Sequence, residues 1–79
     1  MERQLFDEVN ARALVGTRVR TRVEFSGVPV GTAGQVVRAD RSGDGYTLGV
    51  EWELTGRTKP LVDWFSRSEY ERFLAEVSR

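Results

Sequence analysis

The chain has 79 residues with no cysteine and no histidine, and its twelve basic side chains are matched by twelve acidic ones. Without cysteine there is no disulfide and no thiolate metal site. Without histidine, the commonest general base near neutral pH and the commonest transition-metal ligand are both missing. The balanced charge predicts no bulk attraction to nucleic acid or to a membrane surface.

This length fits one domain, residues 1–79, near the lower limit at which a core alone supports a fold. Hydrophobic residues are 39% of the chain, enough for one core and too few for two. The charge is unevenly placed. Residues 1–11 hold one base and three acids, residues 12–41 six bases and two acids, and residues 42–79 five bases and seven acids. Eleven of the twelve bases are arginine, which contacts carboxylates and phosphates in a planar, bidentate way. A GC-rich genome or a heat-adapted host would produce the same bias. No apolar run reaches the length of a membrane span, and the N-terminus has no signal-peptide core. The expected location is the cytoplasm.

In chain order, residues 1–14 form the first unit. Leu5, Phe6, Val9, Ala13 and Leu14 fall at helical spacing, with Glu2, Arg3, Asp7, Glu8 and Arg12 elsewhere, which predicts a helix over 2–14. Gly16 is its stop signal. Thr17 to Phe25 alternates: Thr17, Val19, Thr21, Val23 and Phe25 face one way, and Arg18, Arg20, Arg22 and Glu24 the other. That is a half-buried strand with a charged outer face. The turn Ser26-Gly27-Val28-Pro29-Val30-Gly31 follows.

A second strand is expected over Thr32 to Asp40, with Gly34 marking a bulge or a close backbone approach. Asp40 to Gly45 reads as a turn. Tyr46 to Leu54 alternates again, with Tyr46, Leu48, Val50, Trp52 and Leu54 on one face and Thr47, Gly49, Glu51 and Glu53 on the other. Thr55 to Thr58 turns the chain, and a short strand covers Lys59 to Asp63. Ser66 and Glu69 have the spacing of a capping box. They open a helix over 66–78 whose stripe is Tyr70, Phe73, Leu74 and Val77.

Three segments carry a resemblance: Gly16-Thr17-Arg18-Val19, Gly31-Thr32-Ala33-Gly34-Gln35-Val36-Val37, and Tyr46-Thr47-Leu48-Gly49-Val50-Glu51-Trp52. Over residues 15–64 the chain resembles the small SH3-like barrels. That group includes KOW-type domains, an accessory protein of photosystem I, the variable chain of ferredoxin–thioredoxin reductase, and bacterial antirepressors that imitate DNA. The resemblance implies a mainly β fold: a small barrel of four to five antiparallel strands, with an N-terminal helix and a C-terminal capped helix outside it. It lies in strand rhythm and turn shape, and the fold hosts unrelated functions.

The chemistry is sparse. Glu51, Glu53 and Asp63 would serve as a carboxylate pair only within a cleft. The plainer reading is an outward face of acids paired with arginines across strands. The serines and threonines have no histidine beside them, and Lys59 is the only lysine. The turn from Asp40 to Asp44 lacks the rhythm of a calcium loop. No cofactor, metal site or catalytic residue is expected, and the chain reads as no enzyme.

Two binding readings remain. In the first, the chain is a non-catalytic protein-interaction or accessory module, with Val28, Pro29, Val30, Arg41, Tyr46 and Trp64 as its contact surface. One of Trp64 and Phe65 pins the last helix and the other is exposed. Trp52, sharing the alternation of Leu48 and Val50, belongs to the core. In the second, Arg18, Arg20, Arg22, Arg38 and Arg41 form a cationic face for nucleic acid. A third, inverse reading has Glu51, Glu53, Asp63, Glu69 and Glu71 presenting carboxylates to a DNA-binding partner.

Overall fold

A computed structural model describes residues 4–25 and 27–77. Glu2 and Arg3 of the expected first helix, Ser26 of the first turn and Ser78 of the expected last helix lie outside the described residues. The fold is mainly β, with five antiparallel strands in one open sheet and two helices.

Helix α1 spans Glu8–Leu14, not 2–14. Asp7 sets its start by accepting the Asn10 backbone N–H at 2.9 Å. That bond holds the Asp7 carboxyl below the usual carboxylate range. Leu5 and Phe6 therefore precede the helix in an extended arm. Phe6 exchanges two backbone hydrogen bonds with Tyr46, at 3.0 and 2.8 Å. Its buried ring meets Tyr70 edge-on at 5.7 Å. The expected helical stripe is thus replaced. Val9 is 78% exposed, and Ala11 is the helix residue that the core buries.

Strand β1 is Arg18–Thr21, shorter than the alternating run that predicted it. Val19 and Thr21 are buried and Arg18 and Arg20 exposed, as the alternation requires. The strand stops because Thr21 Oγ1 turns back on residue 23, donating to the Val23 carbonyl at 2.6 Å. Phe25 and Val28 then close a tight turn with reciprocal backbone bonds of 2.9 Å. Gly27, at φ +79°, supplies its left-handed residue.

Strand β2 spans Ala33–Ser42 and β3 spans Gly45–Trp52, so the turn between them contracts to Gly43 and Asp44. Gly34 marks a close approach: a Cβ there would lie 2.7 Å from the Trp52 ring. The bulge falls instead between Val36 and Arg38. Strand β4 is Leu61–Phe65, two residues later than expected.

Helix α2 is Arg67–Phe73, opened by the Ser66–Glu69 capping box in both directions. It ends five residues before the expected limit. Leu74–Glu76 leaves the helix as β5 and pairs with β1, placing Leu74 opposite Thr21. The free edge of β1 gives these residues a ladder that a continued helix would forgo. The sheet order is β4-β3-β2-β1-β5, so the sheet extends past residue 64.

The core fills one side of the sheet. Val19, Val36, Leu48 and Val50 are fully buried there. Each such side chain contributes about 1.5–3 kcal/mol of burial. Phe25 is central, with its ring 5.6–6.2 Å from those of Phe65, Phe73 and Trp52. Trp52 is a core residue, 4% exposed, and its indole N–H donates to Asp63 Oδ2 at 2.8 Å.

Candidate interaction surface

The strand directions define two ends of the sheet. At one, the hairpin end, lie the Gly43-Asp44 turn, the N-terminal arm and the start of α2. At the other, the loop end, lie the β1–β2 connection, the β3–β4 connection over 53–60 and the junction of α2 with β5.

The hairpin end and the outer face hold most of their arginines in local pairs, while Arg41, Asp44 and Glu51 form no ion pair among the described residues. Arg12 Nε meets Glu8 at 2.9 Å, Arg38 meets Asp40 at 3.3 Å, and Arg67 meets Glu71 at 3.9 Å. Arg18 Nη2 meets Glu53 at 2.6 Å across the sheet. Tyr46 lies against two guanidiniums, with Arg41 at 5.6 Å and Arg12 at 5.8 Å from its ring centre. A depression of about 420 Å³ at this end is lined by Leu5, Phe6, Asp7, Asp44 and Gly45. Its only charged lining groups are two carboxylates, Asp44 and Asp7, and Asp7 already caps α1.

The loop end differs. Arg20, Arg22, Arg57, Lys59 and Arg72 all sit there, exposed, and none has a carboxylate partner among the described residues. Arg20 Nη1 donates to the Gly31 carbonyl at 2.9 Å, and Arg72 rests 5.7 Å from the Phe73 ring centre. Glu24, close to Arg22 in the chain, forms no ion pair with them among the described residues. Like charges about 10 Å apart in water repel by about 0.4 kcal/mol per pair, so the cluster is tolerable but not self-stabilising. Pro29 and Val30 stand exposed on the β1–β2 connection at this same end, Val30 at 65%.

The structure divides the residues expected to contact a partner. Val28 is only 1% exposed and belongs to the core, because the tight turn with Phe25 folds its side chain inward. Pro29 and Val30 are exposed at the loop end. Arg41 and Tyr46 pair with each other at the hairpin end. Trp64 is 43% exposed on the outer face of β4, while Phe65 beside it is buried. The Trp64 ring covers Gly49, where a Cβ would lie 3.0 Å from it, and Arg38 stacks on it at 6.0 Å. Sheet order places Trp64 three strands away from β1 and its loop.

The five arginines expected to form one cationic face do not converge. Arg18 and Arg38 are tied to acids on the outer face. Arg41 lies an odd number of positions after Arg38, and its neighbour Tyr46 packs against the core, so it projects from the opposite side. Only Arg20 and Arg22 remain together without acids among the described residues. Four of the five acids of the inverse reading are also occupied, while Glu51, exposed on β3, meets no arginine among the described residues. Glu53 and Glu71 pair with arginines, Asp63 accepts from Trp52, and Glu69 closes the capping box. Among the described residues no three acids are grouped to hold a metal ion, and no helix is long and apolar enough to cross a membrane.

Sequence reasoning missed that Arg57, Lys59 and Arg72 lie toward the same end of the sheet as Arg20 and Arg22. No family model matches the chain, and no curated protein or solved structure is significantly similar to it.

Proposed function

We propose that the chain is a non-catalytic interaction module of the small SH3-like barrel type, which contacts another protein through the loop end of its sheet. The carrying observation is the asymmetry of charge. Five cations without acid partners among the described residues lie at the end of the sheet that also carries exposed Pro29 and Val30, while most charges elsewhere on the molecule are paired. An apolar centre within a rim rich in arginine is the anatomy of a protein interface. The return of β5 to β1 suits the barrel type, and the cysteine-free sequence suits a reducing cytoplasm.

Site-specific photo-crosslinking in cells tests the reading, with the photoreactive residue at position 30, 57, 9 or 64. Discrete protein adducts are expected from positions 30 and 57, and weaker or none from 9 and 64. Adducts that vanish on nuclease treatment, or none from the loop end, would defeat it. So would a specific turnover that one point substitution abolishes.

A further inference from the structure

We infer that the partner of the loop end is an acidic protein segment carrying an apolar side chain: its carboxylates meet Arg20, Arg22, Arg57, Lys59 and Arg72, and its apolar group covers Val30. This rests on the interaction reading above and names the chemistry of the partner.

Three observations bear on the partner's chemistry. First, four of the five cations are arginines, which hold carboxylate or phosphate through two parallel hydrogen bonds, so the choice between them rests on the surroundings. Second, Val30 is 65% exposed beside Pro29 on the β1–β2 connection, at the same end of the sheet. A phosphate backbone gives nothing to an apolar side chain there, whereas a leucine or phenylalanine on a peptide would cover it. Third, among the described residues this end presents no free aromatic face on which bases would stack. Phe25 and Phe73 are half-buried, and their rings are engaged with each other and with the core. The exposed indole, Trp64, lies on the outer face of β4.

The cations come from separate segments. Arg20 lies in β1 and Arg22 just after it, Arg57 and Lys59 sit in the β3–β4 connection, and Arg72 lies in the last turn of α2. A segment that reaches all three has to cross this end of the sheet. Its encounter would be steered by charge and weakened by salt, because the cations are exposed and screened by mobile ions.

The experiment uses the full chain and fluorescence anisotropy with three labelled probes. These are a short peptide of glutamates interrupted by leucines, the same peptide with serine for leucine, and a DNA duplex of equal charge. The leucine peptide is expected to bind best, more weakly as salt rises. Arg22→Glu with Arg57→Glu should weaken it by about tenfold or more, while the circular dichroism spectrum and melting temperature stay unchanged. Val30→Ser should erase the advantage of the leucine peptide over the serine one. The inference is overturned if the duplex binds more tightly than either peptide, if the double reversal leaves binding intact, or if no peptide binds. It is also overturned if sedimentation shows the loop end occupied by a second copy of the chain. If the peptides fail while position 30 still crosslinks to a protein, the acidic segment is wrong and the module stands. If the crosslink fails too, both fall.

Discussion

The two ends of this sheet solve different problems with the same kinds of residue. At the hairpin end, arginines are consumed locally by Glu8, Asp40 and Glu71 and by the Tyr46 ring, and the N-terminal arm closes over the turn. At the loop end, five cations have no carboxylate partner among the described residues, though Arg20 reaches the Gly31 carbonyl and Arg72 rests on the Phe73 ring, and the connections between strands are long. An exposed ion pair contributes about 0–1 kcal/mol, so neither arrangement decides whether the chain folds. The difference therefore tells of use rather than stability: the hairpin end is finished internally, and the loop end is left with unspent charge.

If the hairpin end is the structural one, damage there should be costly. The largest effect is expected from Phe6→Ala. That ring is 4% exposed and packs on Tyr70, so its removal should cost about 3–5 kcal/mol, read by urea denaturation. Gly45→Val should follow. A Cβ at Gly45 lies 2.5 Å from the Leu5 Cβ and 2.9 Å from the Phe6 carbonyl oxygen. The arm would have to shift, at about 1–3 kcal/mol, and amide hydrogen exchange at Phe6 and Tyr46 should accelerate. Unchanged exchange there would mean that the arm is not held by this contact.

The smaller tests concern α2, which runs from one end to the other. Ser66→Ala removes a buried cap and should cost about 0.5–2 kcal/mol in the same denaturation measurement. Tyr70 gives a dependence on pH. Burial pushes its hydroxyl above the ordinary tyrosine value, and the bond it donates to Glu76 at 2.9 Å adds to the shift. The folded state thus favours the protonated phenol more than the unfolded state does. That contribution is complete below the unfolded value of about 10 and is lost as pH rises above it. Melting temperatures followed from pH 8 to about 11 should fall for the parent chain, and fall less for Tyr70→Phe. Identical slopes would show that Tyr70 is not the titrating group.

Much of the fold is legible where the signal is local. The alternation from Thr17 onward places Val19 and Thr21 inside and Arg18 and Arg20 outside. The Ser66–Glu69 spacing marks the start of α2, and the rhythm of Leu48, Val50 and Trp52 identifies core residues. What fails is decided by distant partners. Leu74 and Val77 continue the helical spacing of Tyr70. Yet the edge of β1, far away in the chain, claims Leu74–Glu76 as a strand. Phe6 has helical spacing with Val9, but Asp7 caps the helix after it and Tyr46 takes its backbone. The candidate site is less legible still. Arg41 is separated from Arg38 by parity along the strand, which the sequence does contain. That Arg22, Arg57 and Arg72 lie toward one end of the sheet depends wholly on strand pairing, for which no local pattern exists.

The smallest expected change in stability is the sharpest test of the contrast between the ends. Arg22→Gln, Arg57→Gln and Lys59→Gln, combined in one chain, remove three charges from the loop end. No carboxylate among the described residues loses a partner, so the melting temperature should stay level or rise slightly as like-charge repulsion is relieved, within about 0.5 kcal/mol. The matched change at the other end, Arg12→Gln, Arg38→Gln and Arg67→Gln, separates Glu8, Asp40 and Glu71 from their partners and should lower it by a small but opposite amount. Added salt should compress both differences, since all the groups are exposed. The sign of the two changes matters more than their size. If both sets destabilise equally, the loop-end cations have structural partners after all, and the case for a surface held ready for another molecule loses its foundation.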